Sequence, residues 1–331
     1  MPALPEGSTS PTPPTPARSL NKYTVAKVVL AASLLIWLLQ SGRLDLRTLL
    51  STPLTILHVL GMLVLFIGMI LQAWRWWWLI KAQQIDLSFP STLGLVWIGR
   101  FLALVLPGVV GGDVVRGYYV IREAPSAKMA GVSTVLLDRA MGFYSSFLLG
   151  VFALVWMAWS REPLTGPVRY VGAVSILCVV GASLVFLALW LDPMRDRVLG
   201  FVPERFRAPM EAVLKAYRTR GRTLLICLAL SLAIGVTSVA AFVIAGHVLG
   251  TPIDWKQAFT VCPLVFVATA LPLSPNGVGV GEAAASVLFA QFGVETGATV
   301  MLVVRLWFLV LRLPGGLLYI FRRGHPARLN E

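Results

Sequence analysis

Long apolar runs separated by short polar stretches dominate the chain. Six of them approach the roughly 20 residues that a helix needs to cross the bilayer core: 24–40, 54–74, 130–159, 168–191, 223–249 and 297–321. Two further apolar regions, 91–122 and 257–292, are each interrupted near the middle, by LPGVVGGD over 106–113 and by LPLSPNGVGVGE over 271–282. Proline stops a helix and glycine permits tight turns and close backbone approach. The pattern therefore predicts half-helices around two breaks, one at Pro107, Gly111 and Gly112, the other at Pro272, Pro275, Gly277 and Gly279. About ten residues of such a helix span about 15 Å, half the hydrocarbon core. The first sixteen residues hold six prolines and no apolar period. Residues 1–22 are accordingly expected to be a disordered cytoplasmic tail, and 323–331 a second tail.

Composition turns these runs into membrane spans. The chain of 331 residues is 57% hydrophobic and 13% charged, where a soluble domain carries about 25% charge. Its net charge of +13 then points to anionic headgroups and topology rather than to nucleic acid. If both broken regions are re-entrant hairpins and the N-terminus is inside, nineteen Lys and Arg fall in cytoplasmic segments and five in outer ones. That bias predicts cytoplasmic N- and C-termini. Arg75 and Lys81 belong to the cytoplasmic set, and Trp74, Trp76, Trp77 and Trp78 around Arg75 read as an aromatic belt. The polar stretch 192–222 reads as a cytoplasmic basic loop. Met210, Val213, Leu214 and Tyr217 lie at helical spacing in it among basic residues, as on an interfacial amphipathic helix or a plain topological anchor. Arginine outnumbers lysine 22 to 6, an association with GC-rich bacteria, so a bacterial plasma membrane is the expected location.

The order helix, helix, broken hairpin, helix occurs in 24–160 and again in 168–321, with opposite starting sides. The landmarks align: Pro107, Asp113 and Arg139 in the first copy, Pro272, Glu282 and Arg305 in the second. The expected fold is thus an all-α integral membrane domain over 23–322, with six spanning helices plus two re-entrant broken-helix hairpins in an inverted repeat. Interrupted helices in inverted repeats place a binding site near the midplane. Arg100, Asp113, Arg116, Asp138, Arg139, Asn276, Glu282 and Arg305 are the candidate substrate-binding residues, since charge at membrane depth is costly unless it is paired or hydrated. They would line a polar cavity for a phosphate-bearing headgroup, helped by the free N–H groups of the half-helices. The competing reading has Asp113 and Glu282 cap half-helices and pair with Arg116, Arg139 and Arg305 merely to hold the hairpins. Arg312, near the end of its run, reads as snorkelling to the interface.

Catalytic signatures are not evident. GVGVGE lacks the third glycine of a dinucleotide loop, and no nucleophile elbow, HExxH or CxxC occurs. His58, His247 and His325 are scattered, and Cys178, Cys227 and Cys262 give neither a disulfide framework nor metal spacing. Catalytic residues, metal and cofactor are therefore all expected to be absent, and the chain is not expected to be an enzyme.

The blocks LPGVVGGDVVR (Leu106 to Arg116), LLDR ending at Arg139, LPLSPNGVGVGE ending at Glu282, and then Arg305, in this order and spacing, resemble the flippase-like transmembrane family of lysylphosphatidylglycerol synthases. The resemblance implies a lipid-translocating membrane module whose characteristic polar residues are Asp113, Arg116, Asp138, Arg139, Glu282 and Arg305. In the full synthases an aminoacyl-transferase domain follows. This sequence ends ten residues after its last run, so lipid aminoacylation is not expected of it. The expectation is a transporter for a lipid or lipid-linked headgroup. The alternative is a non-transporting membrane subunit or partner of a lipid-modifying or cell-envelope biosynthesis enzyme. Anionic membrane lipids are the expected partners, an envelope enzyme is a further candidate partner, and no nucleic acid is expected.

Overall fold

The computed structural model describes residues 22–45, 47, 51–105, 111–123, 127–161, 166–200, 203–270 and 273–323. Pro107, Pro272 and the two tails other than Lys22 and Arg323 lie outside them. The described residues are helical with short connections and contain no strand. In chain order the helices are α1 (Lys22–Gln40), α2 (Ile56–Ala82), α3 (Phe89–Val105), α4 (Gly111–Glu123), α5 (Lys128–Trp159), α6 (Gly166–Trp190), α7 (Asp192–Gly200), α8 (Glu204–Arg218), α9 (Gly221–Val248), α10 (Trp255–Ala270), α11 (Val280–Ala290), α12 (Gly297–Arg312) and α13 (Pro314–Arg323), with a 3₁₀ turn at Pro275–Gly277 before α11.

Among the described residues five stretches are long and apolar enough to cross a membrane: α2, α5, α6, α9 and the run Gly297–Phe321. The run at 24–40 is helical as α1 but is not among these five. The last run is not one helix. It divides at Pro314, which has no N–H to donate and whose ring clashes with the preceding turn. Where the hydropathy pattern predicts a single continuous span, α12 and α13 therefore follow one another across one turn residue, Leu313, whose own φ and ψ stay helical.

α2 and α9 form the central pair. Lipid tails are as apolar as leucine, so association rests on close packing of small residues. Gly68 of α2 meets Thr237 of α9 so closely that a Cβ would lie 2.7 Å from its hydroxyl, and Gly61 lies under the Trp307 ring. Phe242 stacks on Phe289 at 6.1 Å, joining α9 to α11. Both broken regions are helix–break–helix units whose arms pack on each other, α3 on α4 and α10 on α11. Gly112 sits against Gly99 of the opposing arm, where a Cβ would come 2.4 Å from the carbonyl oxygen. At 1.5 Å per residue each of the four arms is shorter than the roughly 30 Å core. The order long helix, broken pair, long apolar run thus recurs as α2, α3/α4, α5 and as α9, α10/α11, α12 with α13.

The polar stretch folds as α7 and α8. The apolar side of α8 turns inward: Val213 and Tyr217 are buried with Leu79, Ala82 and Cys227, and the Tyr217 hydroxyl donates to the Leu79 carbonyl at 3.3 Å. Asp192 accepts from Arg218 and Arg195, which fastens α7 to α8. The Arg218 hydrogen bond holds the Asp192 carboxyl below the usual carboxylate range.

Candidate functional site: an arginine-lined cavity between the helices

Adjacent residues on a helix point about 100° apart, and α5 uses this at Asp138 and Arg139. Asp138 faces inward, 1% exposed, and receives Arg75 Nε at 2.8 Å and Arg116 Nη2 at 2.9 Å. Arg75 also donates to Ser231 Oγ of α9 at 2.8 Å. One carboxylate therefore ties α5 to α2, α4 and, through Arg75, α9. The Arg116 guanidinium lies over the Trp76 ring at 4.0 Å. A buried ion cluster of this kind needs both carboxylate oxygens occupied to offset its desolvation, and both are.

Arg139 turns the other way. Its guanidinium donates to Asp113 in the first turn of α4, and it stands 5.4 Å over the Phe143 ring. Asp113 also lies 3.4 Å from Arg116. A carboxylate at that position complements the positive end of the helix dipole. Asp113 and Arg139 have side-chain exposures of 22% and 24%, and so remain open to the cavity that begins here.

The cavity measures ≈ 410 Å³ and is walled by α2, α3, α4, α5, α9, α10, α12 and the second break. Five of the sequence candidates on or near the first hairpin, Arg100, Asp113, Arg116, Asp138 and Arg139, line it, and Asn276 lines it from the second break. Arg100 donates to the Gln72 side-chain oxygen, through Nε at 3.1 Å and through Nη2. Asn276 donates to the Ala103 carbonyl at 3.2 Å, which locks the second break against α3.

Glu282 and Arg305 stand outside that lining and build the second break. Asn276, Gly277 and Gly279 all have positive φ, at 51°, 68° and 78°, a left-handed turn that glycine tolerates at two of the three positions. Glu282 accepts the Gly279 N–H at 2.8 Å, as a cap. Arg305 Nε donates to Glu282 at 2.6 Å, while its other nitrogens donate to the Asn276 and Gly277 carbonyls at 3.1 Å each. One ion pair, its carboxylate buried, thus satisfies backbone groups that the irregular turn leaves unpaired.

Three cavity residues escape a sequence reading. Arg75, placed there among the cytoplasmic cations, is 5% exposed on its side chain and lies deep in the ion cluster. The signal was present: apolar periodicity continues past it through Trp76, Leu79 and Ile80, so the helix does not end at Arg75. The aromatic belt is corrected with it. Trp76 is fully buried and donates to Thr134 at 3.1 Å, and Trp77 donates to the Leu87 carbonyl at 3.0 Å, while Trp74 is exposed. Gln72 and Arg312 also line the cavity. Arg312 does not leave for the interface, because Gly315 and Gly316 pack α13 against Trp97 and Phe101 of α3 and hold its backbone there.

Among the described residues no cluster of His, Cys, Asp and Glu is disposed to hold a metal ion.

Residues 24–315 match the family described as the lysylphosphatidylglycerol synthase TM region. The chain belongs to that family. It is a multi-pass membrane protein and a membrane module of the lysylphosphatidylglycerol synthase type. It is also similar to a UPF0104 membrane protein of Pyrococcus horikoshii, 23% identical over 295 residues that cover 80% of this chain and 87% of the relative. No solved structure matches it.

Proposed function

We propose that the protein translocates a lipid, or a lipid-linked headgroup bearing phosphate, with the head passing through the arginine-lined cavity near the midplane. The observation that carries this reading is a polar cavity set beside an apolar groove. A groove of ≈ 640 Å³ lined by Phe152, Trp156, Trp159, Trp255 and Phe259 lies between α5 and α10, and Leu149 belongs to both spaces. A charged head in one and its chains in the other is the arrangement a lipid needs to move without drawing its head through hydrocarbon. In this reading Arg139 and Arg100 contact phosphate. Asp138 with Arg75 and Arg116 holds the first hairpin, and Glu282 with Arg305 holds the second. The two broken units act as re-entrant hairpins of an inverted repeat, with both termini cytoplasmic in a bacterial plasma membrane. No nucleotide loop occurs in the sequence, so an ion gradient or the lipid gradient supplies the drive, and the protein is not itself an enzyme.

A second reading rests on the pairing of every carboxylate at the two hairpins. Asp113, Asp138 and Glu282 all meet arginine, as they would in a non-transporting membrane partner of an envelope-biosynthesis enzyme. Reconstitution separates the two. Proteoliposomes carrying fluorescent anionic lipids should flip them well above the rate of protein-free vesicles; rates equal to protein-free vesicles across phosphodiester, phosphomonoester and diphosphate lipids would favour the scaffold.

A further inference from the structure

The charges of the cavity do not balance. Among the described residues its wall carries Arg75, Arg100, Arg116, Arg139 and Arg312 against two carboxylates, Asp113 and Asp138. Asp138 is taken by Arg75 and Arg116, and Asp113 by Arg139 and Arg116. Among the described residues Arg100 meets only the neutral amide of Gln72. Arg312 lies 5.6 Å from the Phe308 ring centroid, and its Nε is buried with no hydrogen-bond partner. Segments 106–110 and 271–272, outside the described residues, contain only Leu, Pro, Gly and Val and bring no counter-charge. The neighbouring Glu282–Arg305 pair is neutral. Five arginines against two aspartates leave three formal positive charges uncompensated.

The cavity arginines form two poles, of which one has no carboxylate partner among the described residues and the other is paired with Asp113. Trp97 Nε1 donates to the Leu311 carbonyl at 2.9 Å. Arg100 follows Trp97 by one turn and Arg312 follows Leu311, so α3 and α12 bring these two arginines to one level of the cavity wall. Arg139 is the other pole, on α5. A phosphodiester carries one negative charge and would leave most of the surplus standing. A phosphomonoester carries about −1.5 to −2 near neutral pH, and a diphosphate carries more and is long enough to offer oxygens to both poles.

We propose that the cavity takes a multiply charged phosphate, a phosphomonoester or diphosphate, between Arg139 and the Arg100–Arg312 pole, and discriminates against singly charged phosphodiesters such as phosphatidylglycerol. The proposal rests on the cavity being the headgroup site of the reading above. Charge-assisted, forked arginine contacts set the preference, because each added anionic oxygen finds a guanidinium already in place.

The test is equilibrium binding to the purified full-length protein in detergent. The ligands are a long-chain prenyl diphosphate, phosphatidic acid, phosphatidylglycerol and inorganic diphosphate. The diphosphate and phosphomonoester lipids should bind at least about tenfold more tightly than phosphatidylglycerol. Arg312→Gln and Arg100→Gln should each weaken the multiply charged ligands by about tenfold while moving phosphatidylglycerol by less than about twofold, the scale of one charge-assisted contact. Inorganic diphosphate binding as tightly as the prenyl diphosphate would assign the same site to a soluble anion; much weaker binding assigns it to lipid. The wild-type ranking stands even if a variant does not fold. Equal affinity for phosphatidylglycerol and the multiply charged lipids overturns the proposal, as does a folded Arg312→Gln protein with unchanged ranking. If the ranking holds and no lipid is flipped, translocation fails and this site survives. If phosphatidylglycerol is flipped and the ranking is flat, the reverse holds.

Discussion

Asp138 and Arg139 are neighbours in sequence with different tasks. Asp138→Ala leaves Arg75 and Arg116 buried without the carboxylate they share, a loss of about 3–5 kcal/mol when one partner of a buried pair is removed. The protein should accumulate poorly, as fluorescence-detected gel filtration of membrane extracts would read. Arg139→Lys keeps a charge beside Asp113 but loses the planar fork that holds phosphate in two places. It should accumulate normally and lose most of its lipid translocation in proteoliposomes; normal transport by this variant would remove Arg139 from the headgroup path. Arg100, Asp113 and Arg139 are legible in the sequence because a charge inside a long apolar run is conspicuous. Arg75 and Arg312 are not, because both stand near the ends of such runs, where a long side chain ordinarily reaches water. Which way they turn is decided by tertiary packing: Trp76 buried beside Thr134, and Gly315 pressed on Trp97.

At the scale of elements, the proline and glycine clusters announce both broken pairs, and the arms fall where the clusters place them. What the pattern does not carry is how the arms meet. Gly112 and Gly99 decide that, since each gives the other's backbone room to approach. Gly112→Ala sets a methyl about 2.4 Å from the Gly99 carbonyl oxygen and must part the arms. Overpacking of this kind costs about 1–3 kcal/mol. The melting temperature of the detergent-solubilised protein should therefore fall by several degrees, whereas Gly94→Ala, whose Cβ would meet nothing within 4 Å, should leave it within a degree or two. Hydropathy is also blind to Pro314: a single proline does not lower the average of an apolar window, yet it divides α12 from α13. For α8 the amphipathic spacing is plain in the sequence, but its apolar side is spent on Leu79 and Ala82 of α2, which only the folded neighbours reveal.

For the whole molecule, composition alone establishes a membrane protein, and the recurring order of long helix and broken pair is readable before any coordinates. The cavity is not, because its wall draws on residues as distant as Gln72 and Arg312, brought together only when both units pack around α2 and α9. If a lipid head travels through this space, filling the space must stop translocation. Ser146 lines the cavity and donates a hydrogen bond to the carbonyl of Gly142 at 3.0 Å, so cysteine replaces it with little change of shape. The decisive measurement is lipid translocation by Ser146→Cys protein, with Cys178, Cys227 and Cys262 replaced by serine or alanine, before and after reaction with a bulky water-soluble thiol reagent. The unlabelled protein should translocate, the introduced thiol should label without the membrane being dissolved, and labelling should bring the rate to that of protein-free vesicles. A fully labelled protein that still translocates at its unlabelled rate would contradict passage of the head through this space.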